Sequence, residues 1–161
     1  MTSTSCNQCR AETEITIINC ADGEADSLRL RLKDFPLREC AAGHRQFVRP
    51  DFAAELLYHL TEEDEPELPA GKEKGLILKK YLCASCGEAL EPKPDHRHTF
   101  SIEVRLEELD PFGVDLSMPV YKCSACEKEQ LHSLKEVRKL TPAAMAHAFE
   151  AASIPPPPGV L

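Results

Sequence analysis

Hydrophobic and polar residues alternate along four stretches of this chain, grouped in pairs around turn signals. The first pair runs Glu14 to Asn19 and Leu28 to Leu32 around Ala21-Asp22-Gly23. The second places Phe100, Ile102, Val104 and Leu106, then Val114, Leu116, Met118 and Val120, around Asp110-Pro111-Phe112-Gly113. A period of two marks a half-buried strand, so the pattern predicts two β-hairpins. After each hairpin the period lengthens to that of a helix. Pro50 to Leu60 sets Ala53, Leu56, Leu57 and Leu60 on one face, and Pro142 to Ala152 follows Thr141 as its cap. Proline suits a first helical turn, where its missing N–H costs no hydrogen bond.

The two hairpin and helix units are a diverged repeat. Cys6-Asn-Gln-Cys9 recurs as Cys83-Ala-Ser-Cys86, and Asp34-Phe-Pro-Leu-Arg-Glu-Cys40 as Ser117-Met-Pro-Val-Tyr-Lys-Cys123. Each second motif carries a proline four residues before its cysteine, which fits the edge or end of a strand. Two residues between cysteines let the chain fold back so that two thiolates reach one ion, and the hairpin closes the distance to the second pair. This yields two tetrahedral ligand sets: Cys6, Cys9, Cys40 and His44, and Cys83, Cys86, Cys123 and Cys126. In the first, Gly43 stands where a cysteine is expected, and a left-handed glycine would present His44 one residue later. The expected cofactor is Zn(2+), two per chain.

The expected fold is a small, metal-stabilised α+β protein of two tandem zinc ribbons. Each is a β-hairpin or short antiparallel sheet with two knuckles, followed by a short helix. Module 1 spans 1–61 and module 2 spans 75–153, with an acidic linker at 62–74 and a Pro-rich tail at 154–161. The linker's acidic, Pro and Gly content predicts a solvated connector, so the modules are expected to fold independently. The tail reads as disordered or as polyproline II.

Cys20 lies outside the repeat. Beside the Ala21-Asp22-Gly23 turn it reads as a small buried hydrophobe, although a shell of Cys6, Cys9, Cys20 and Cys40 is an alternative. His96 and His98 share a strand face that a stray metal could use. A thioredoxin-like role needs C-x-x-C at a helix N-terminus, which none of the three has. Four thiolates also suit rubredoxin-like iron, and Tyr81 to Gly87 resembles its knuckle. A catalytic zinc keeps an open position, whereas each set here is closed, and neither catalytic metal motifs nor a phosphate loop appear. No enzyme activity is expected.

Composition sharpens this picture. Aromatics are only 6% of the chain and Trp is absent, so two small domains would have thin cores that need a metal staple. The formal charge is -8; subtracting 2 for a four-thiolate site and 1 for a three-thiolate site with imidazole gives about -11. That acidity disfavours nucleic acid and anionic membranes. With no signal peptide or membrane span, the expected location is the cytoplasm, where cysteines stay reduced.

Phe35 to His44 and Met118 to Glu127, each following a C-x-x-C and preceding a helix, resemble the second knuckle of the YgiT/MqsA-type zinc finger of bacteria. The resemblance covers most of the chain twice, departing at Gly43 and His44, and implies zinc ligation by Cys83, Cys86, Cys123 and Cys126. In antitoxin members of that family the zinc module engages a protein while a separate helix-turn-helix binds DNA. No such domain follows here. The resemblance implies a protein partner; the alternative, nucleic acid, rests on the basic residues clustered in sequence around the second site, Lys79, Lys80, Lys122, Lys128, Lys135, Arg138 and Lys139.

Overall fold

The alternating stretches belong to longer strands than the pattern alone marks. The computed structural model describes residues 5–63 and 68–156. In it β1 (Thr13–Ala25) and β2 (Leu28–Cys40) pair antiparallel, from Thr13 opposite Cys40 to Ala25 opposite Leu28. The turn is therefore Asp26-Ser27, with Asp26 at φ 52°, and not Ala21-Asp22-Gly23. A two-residue hairpin loop takes its left-handed position readily at Asp. Gly23 has another role: a Cβ there would stand 2.0 Å from the Ala144 carbonyl oxygen, so the glycine admits a helix against the strand.

Within β2 the inward face changes parity. Leu28, Leu30 and Leu32 are buried, then Asp34 at φ 51° turns the chain, and Phe35 and Leu37 point inward in their place. A short strand β3 (Arg45–Gln46) returns against β2, and α1 (Phe52–Tyr58) follows, running on as a single π-turn over His59–Glu63. Phe52, Leu56 and Leu60 are its buried stripe.

The second half repeats this order. A hairpin of β4 (Lys72–Lys74) and β5 (Lys80–Leu82) leads to β6 (His96–Val104), β7 (Phe112–Lys122) and β8 (Glu129–Gln130). Val114, Leu116, Met118 and Val120 are all buried, as their alternation predicts. The last helix, α2 (Leu134–Ala151), begins well before the expected Pro142. Its N-cap is Ser133, whose Oγ accepts the Glu136 N–H at 3.2 Å. Thr141 is not a cap but a buried helical residue, its hydroxyl donating to the Val137 carbonyl at 2.7 Å, while the Pro142 ring faces solvent. The apolar stripe of Ala144, Met145, Ala148 and Phe149 outweighs the one hydrogen bond that Pro142 removes.

The two halves do not keep separate cores. β2 pairs antiparallel with β7, from Arg29 opposite Ser117 to Lys33 opposite Gly113, giving one sheet in the order β1-β2-β7-β6. Helix α2 packs on β1 and β2, the strands of the other half. Phe35 sits at the junction, edge-on to Phe52 at 5.3 Å and to Phe112 at 5.4 Å, with Phe149 at 5.9 Å. Independent folding, expected from the linker, is not what a shared sheet and core favour. The prolines obey the edge rule at a finer scale, since Pro36 and Pro119 lie where β2 and β7 have run past their mutual pairing.

The connector also packs more than its composition suggests. Leu68 and Ala70 lie against the core, and Gly71 N–H donates to the Leu131 carbonyl at 2.8 Å. Residues 64–67 of the linker and 157–161 of the tail, on which the polyproline reading mostly rests, lie outside the described residues. At the start of the tail Ile154 is buried and its N–H donates to the Phe149 carbonyl.

A shared core predicts one cooperative transition. Phe35→Ala should cost about 3–5 kcal/mol and shift a single urea-unfolding transition seen alike by far-UV dichroism and tyrosine fluorescence. Two separable transitions, only one of them moved, would mean that the halves are energetically independent.

Candidate metal centres

The first knuckle of each half is built the same way. Cys6 N–H donates to the Ala11 carbonyl and Arg10 N–H to the Cys6 carbonyl, with Arg10 at φ 65°. Cys83, Glu88 and Gly87 repeat this arrangement, and so do Cys123, Lys128 and Glu127. In each the left-handed residue follows the second cysteine, and the loop presents amide N–H groups to the first sulfur. Gln8 N–H reaches Cys6 Sγ and Ser85 N–H reaches Cys83 Sγ, each at 3.4 Å.

The fourth knuckle is one residue shorter. Cys40 N–H donates to the His44 carbonyl and Gly43 N–H to the Cys40 carbonyl, with Gly43 at φ 85°. The left-handed residue now precedes the last candidate ligand, and His44 takes the place a cysteine holds elsewhere. Its Nδ1 lies 3.7 Å from Cys6 Sγ and 3.5 Å from Cys40 Sγ, while Cys9 and Cys40 sulfurs are 3.7 Å apart. In the second site Cys83 and Cys126 sulfurs are 3.6 Å apart, and those of Cys86 and Cys123 3.5 Å.

These distances test whether an ion fits. Bonds of about 2.3 Å to sulfur and 2.05 Å to nitrogen in a tetrahedron imply S···S of ~3.8 Å and S···N of ~3.6 Å. A disulfide would need about 2.0 Å. Within each set all four ligand atoms lie within 4.8 Å of one another. Two sites compatible with metal binding are therefore present, assembled from Cys6, Cys9, Cys40 and His44 and from Cys83, Cys86, Cys123 and Cys126.

The thiols are already differentiated. The Cys86 amide, then the Gln130 side chain, hold Cys83 down at about 5, and the Cys9 amide leads the groups that hold Cys6 at about 6. Although the Glu88 amide favours its thiolate, the neighbouring Cys123 sulfur and burial push Cys86 up to about 12. Some sulfurs thus stand as thiolates accepting from others that keep their protons. An ion replaces those protons, so metal binding strengthens as pH rises.

Sequence reading missed one pair of supporting residues. Gln130, buried, accepts the Ala84 N–H on Oε1 at 2.8 Å and donates through Nε2 to Cys83 Sγ at 3.2 Å. Gln46 does the corresponding work, accepting the Asn7 N–H at 2.9 Å and donating to the Ser5 carbonyl at 3.2 Å. Each closes the loop of the first knuckle from the short strand after the second. Aligning the repeat with one residue deleted at Gly43 superimposes Gln46 on Gln130, and that was the available signal.

Cys20 belongs to neither set. It lies in mid-strand opposite Lys33 and is exposed, so the reading of it as a buried hydrophobe is corrected, because β1 runs on past it. His96 gathers with Asp95 and Glu129 rather than with His98, in an exposed group of three. No family model matches the chain, and no curated protein or solved structure matches it.

Native mass spectrometry should show two metal ions on Cys20→Ser and weakened occupancy of one site in His44→Ala. One ion on the serine variant and two on the alanine variant would exchange their roles. Metal binding at pH 7 should also release protons at the second site, from Cys86 and from Cys126, whose pKa is raised too, and not from Cys83, which is held at about 5. Calorimetry in buffers of different ionisation enthalpy reads their number.

Proposed function

We propose that this chain is a non-catalytic zinc protein in which two Zn(2+) ions fasten a single sheet that serves as a scaffold for a protein partner. The observation that carries the reading is the pair of closed ligand sets at tetrahedral spacing. Four protein atoms fill each shell, leaving no coordination position for substrate or water, which is the arrangement of structural and not catalytic zinc. Zinc would supply cross-linking and charge neutralisation, and the N–H groups and glutamines around the sulfurs hold the ligands in place before it arrives. The free state of all the cysteines suits a reducing compartment such as the cytoplasm.

The likeness to the YgiT/MqsA-type finger supports the same reading through its motifs alone. Nucleic acid is the less favoured partner. Lys79, one of the basic residues that would be needed, is engaged by Glu73 at 2.8 Å, and the chain as a whole is acidic.

Chelation with a strong zinc ligand should abolish the β-sheet dichroism, and added zinc should restore it, since structural zinc affinity is folding free energy. Unchanged spectra after complete metal removal would defeat the structural role. For the partner, captured complexes should survive moderate salt. Capture of RNA or DNA with affinity falling steeply against salt would replace the protein-scaffold reading.

A further inference from the structure

The least covered apolar surface in the described residues lies away from the metal ligands. Leu76, Ile77 and Leu78 form the tip of the β4–β5 hairpin and are 98%, 94% and 81% exposed. The tip is a built turn. Gly75 at φ 100° closes it, and a Cβ there would stand 2.4 Å from the Leu78 carbonyl oxygen. Its base is tied to the body by Gly71 N–H on the Leu131 carbonyl and by Tyr81 Oη donating to Glu136 at 3.1 Å. One residue beyond β5 comes Cys83.

Four exposed lysines ring the hairpin below the tip. Lys74 faces Lys80 across the two strands, Lys79 adjoins the tip, and Lys72 lies two pairs lower. Glu73 is the one acid within 72–80, it is paired with Lys79, and Lys135 and Lys139 of α2 act on it as well.

We infer that this hairpin is a docking element for an anionic lipid surface, into which Leu76, Ile77 and Leu78 insert while the lysines meet the headgroups. Three consecutive residues on a turn point in different directions, so a protein groove that grips one face leaves part of the tip in water. A hydrocarbon layer accepts all three. Strand residues rise about 3.3 Å each, which places Lys74 and Lys80 within the headgroup zone when the tip reaches the ~5–10 Å depth of interfacial insertion.

The net charge of the chain repels such a surface at long range. Screening over about 8 Å at physiological salt leaves the local lysines to decide the contact. No helix among the described residues is long and apolar enough to cross a membrane, so the contact is peripheral. This inference is independent of the protein-scaffold reading, and its failure would leave that reading standing.

The chain has no Trp, so Ile77→Trp in the full-length, zinc-loaded protein is a single reporter at the tip. Its emission should shift to the blue with phosphatidylcholine vesicles that contain phosphatidylserine at roughly one lipid in three, and much less with phosphatidylcholine alone. In co-sedimentation with the mixed vesicles, Ile77→Asp should lower partitioning at least about tenfold, and Lys74→Gln with Lys80→Gln by about fivefold per lysine. Dichroism and zinc content of these surface variants should match the parent. An unshifted Trp with both vesicle types would overturn the proposal in favour of a protein groove. Equal shifts with both, or undiminished sedimentation of Ile77→Asp, would overturn it too.

Discussion

The antiparallel contact of β2 with β7 decides how everything else in this chain is arranged. These are equivalent strands of the two copies, and they cross near Arg31 opposite Asp115 and Leu32 opposite Val114. Because they run in opposite directions, their C-terminal ends, which carry Cys40 and lead to Cys123, emerge at opposite ends of the sheet. The two ligand sets are therefore far apart, yet their strands share one inner face. On the outer face Lys33 meets Asp115 at 2.8 Å and Ser101 donates to the same carboxylate, so the junction is also marked by polar pairs. Exposed pairs of this kind stabilise little by themselves and chiefly favour one register over its neighbours.

The inner face explains why a chain poor in aromatics has a core at all. Phe35, Phe47, Phe52, Phe112 and Phe149 come from both halves, and their rings pack within one cluster. Divided between two domains they would make two marginal cores. Pooled, they make one, and α2 completes it by crossing onto β1 and β2 through the gap that Gly23 leaves. The ligand sets then act at the margins, where the strands end and apolar burial fades.

Which of these features could be read from the chain depended on whether they were local. The period-two runs marked the strands, and the C-x-x-C spacing marked the cysteines that cluster, because each is set within a few residues. Gly43 and His44 were legible for the same reason, since one backbone angle decides which side chain follows the turn. Pairing of β2 with β7 was not legible, because it depends on residues 80 to 88 positions apart that carry no motif. The Ala21-Asp22-Gly23 misreading has a similar origin: a glycine needed for helix contact looks in sequence like a glycine needed for a turn. Ser133-Leu-Lys-Glu136 was a legible capping signal that the proline at 142 obscured. Gln46 and Gln130 stood out only once the single-residue deletion in the fourth knuckle was allowed for.

The β4–β5 hairpin directly precedes the second set of clustered cysteines, and its position has a consequence. β5 runs directly into Cys83, whose sulfur is held by Gln130, and Gln130 in turn lies on the strand that leads to α2. A metal held at Cys83 would thus fix the base of the hairpin from one side, while Tyr81 and Gly71 fix it from the other. An apolar tip exposed to water favours association with any apolar surface, and exposed patches of this kind are uncommon without a partner. The flanking lysines discourage pairing between copies, because like charges would be brought together across the contact. They do not discourage a negatively charged surface. The same residues that keep the tip from self-association therefore select what it can meet, and the second ligand set keeps it presented.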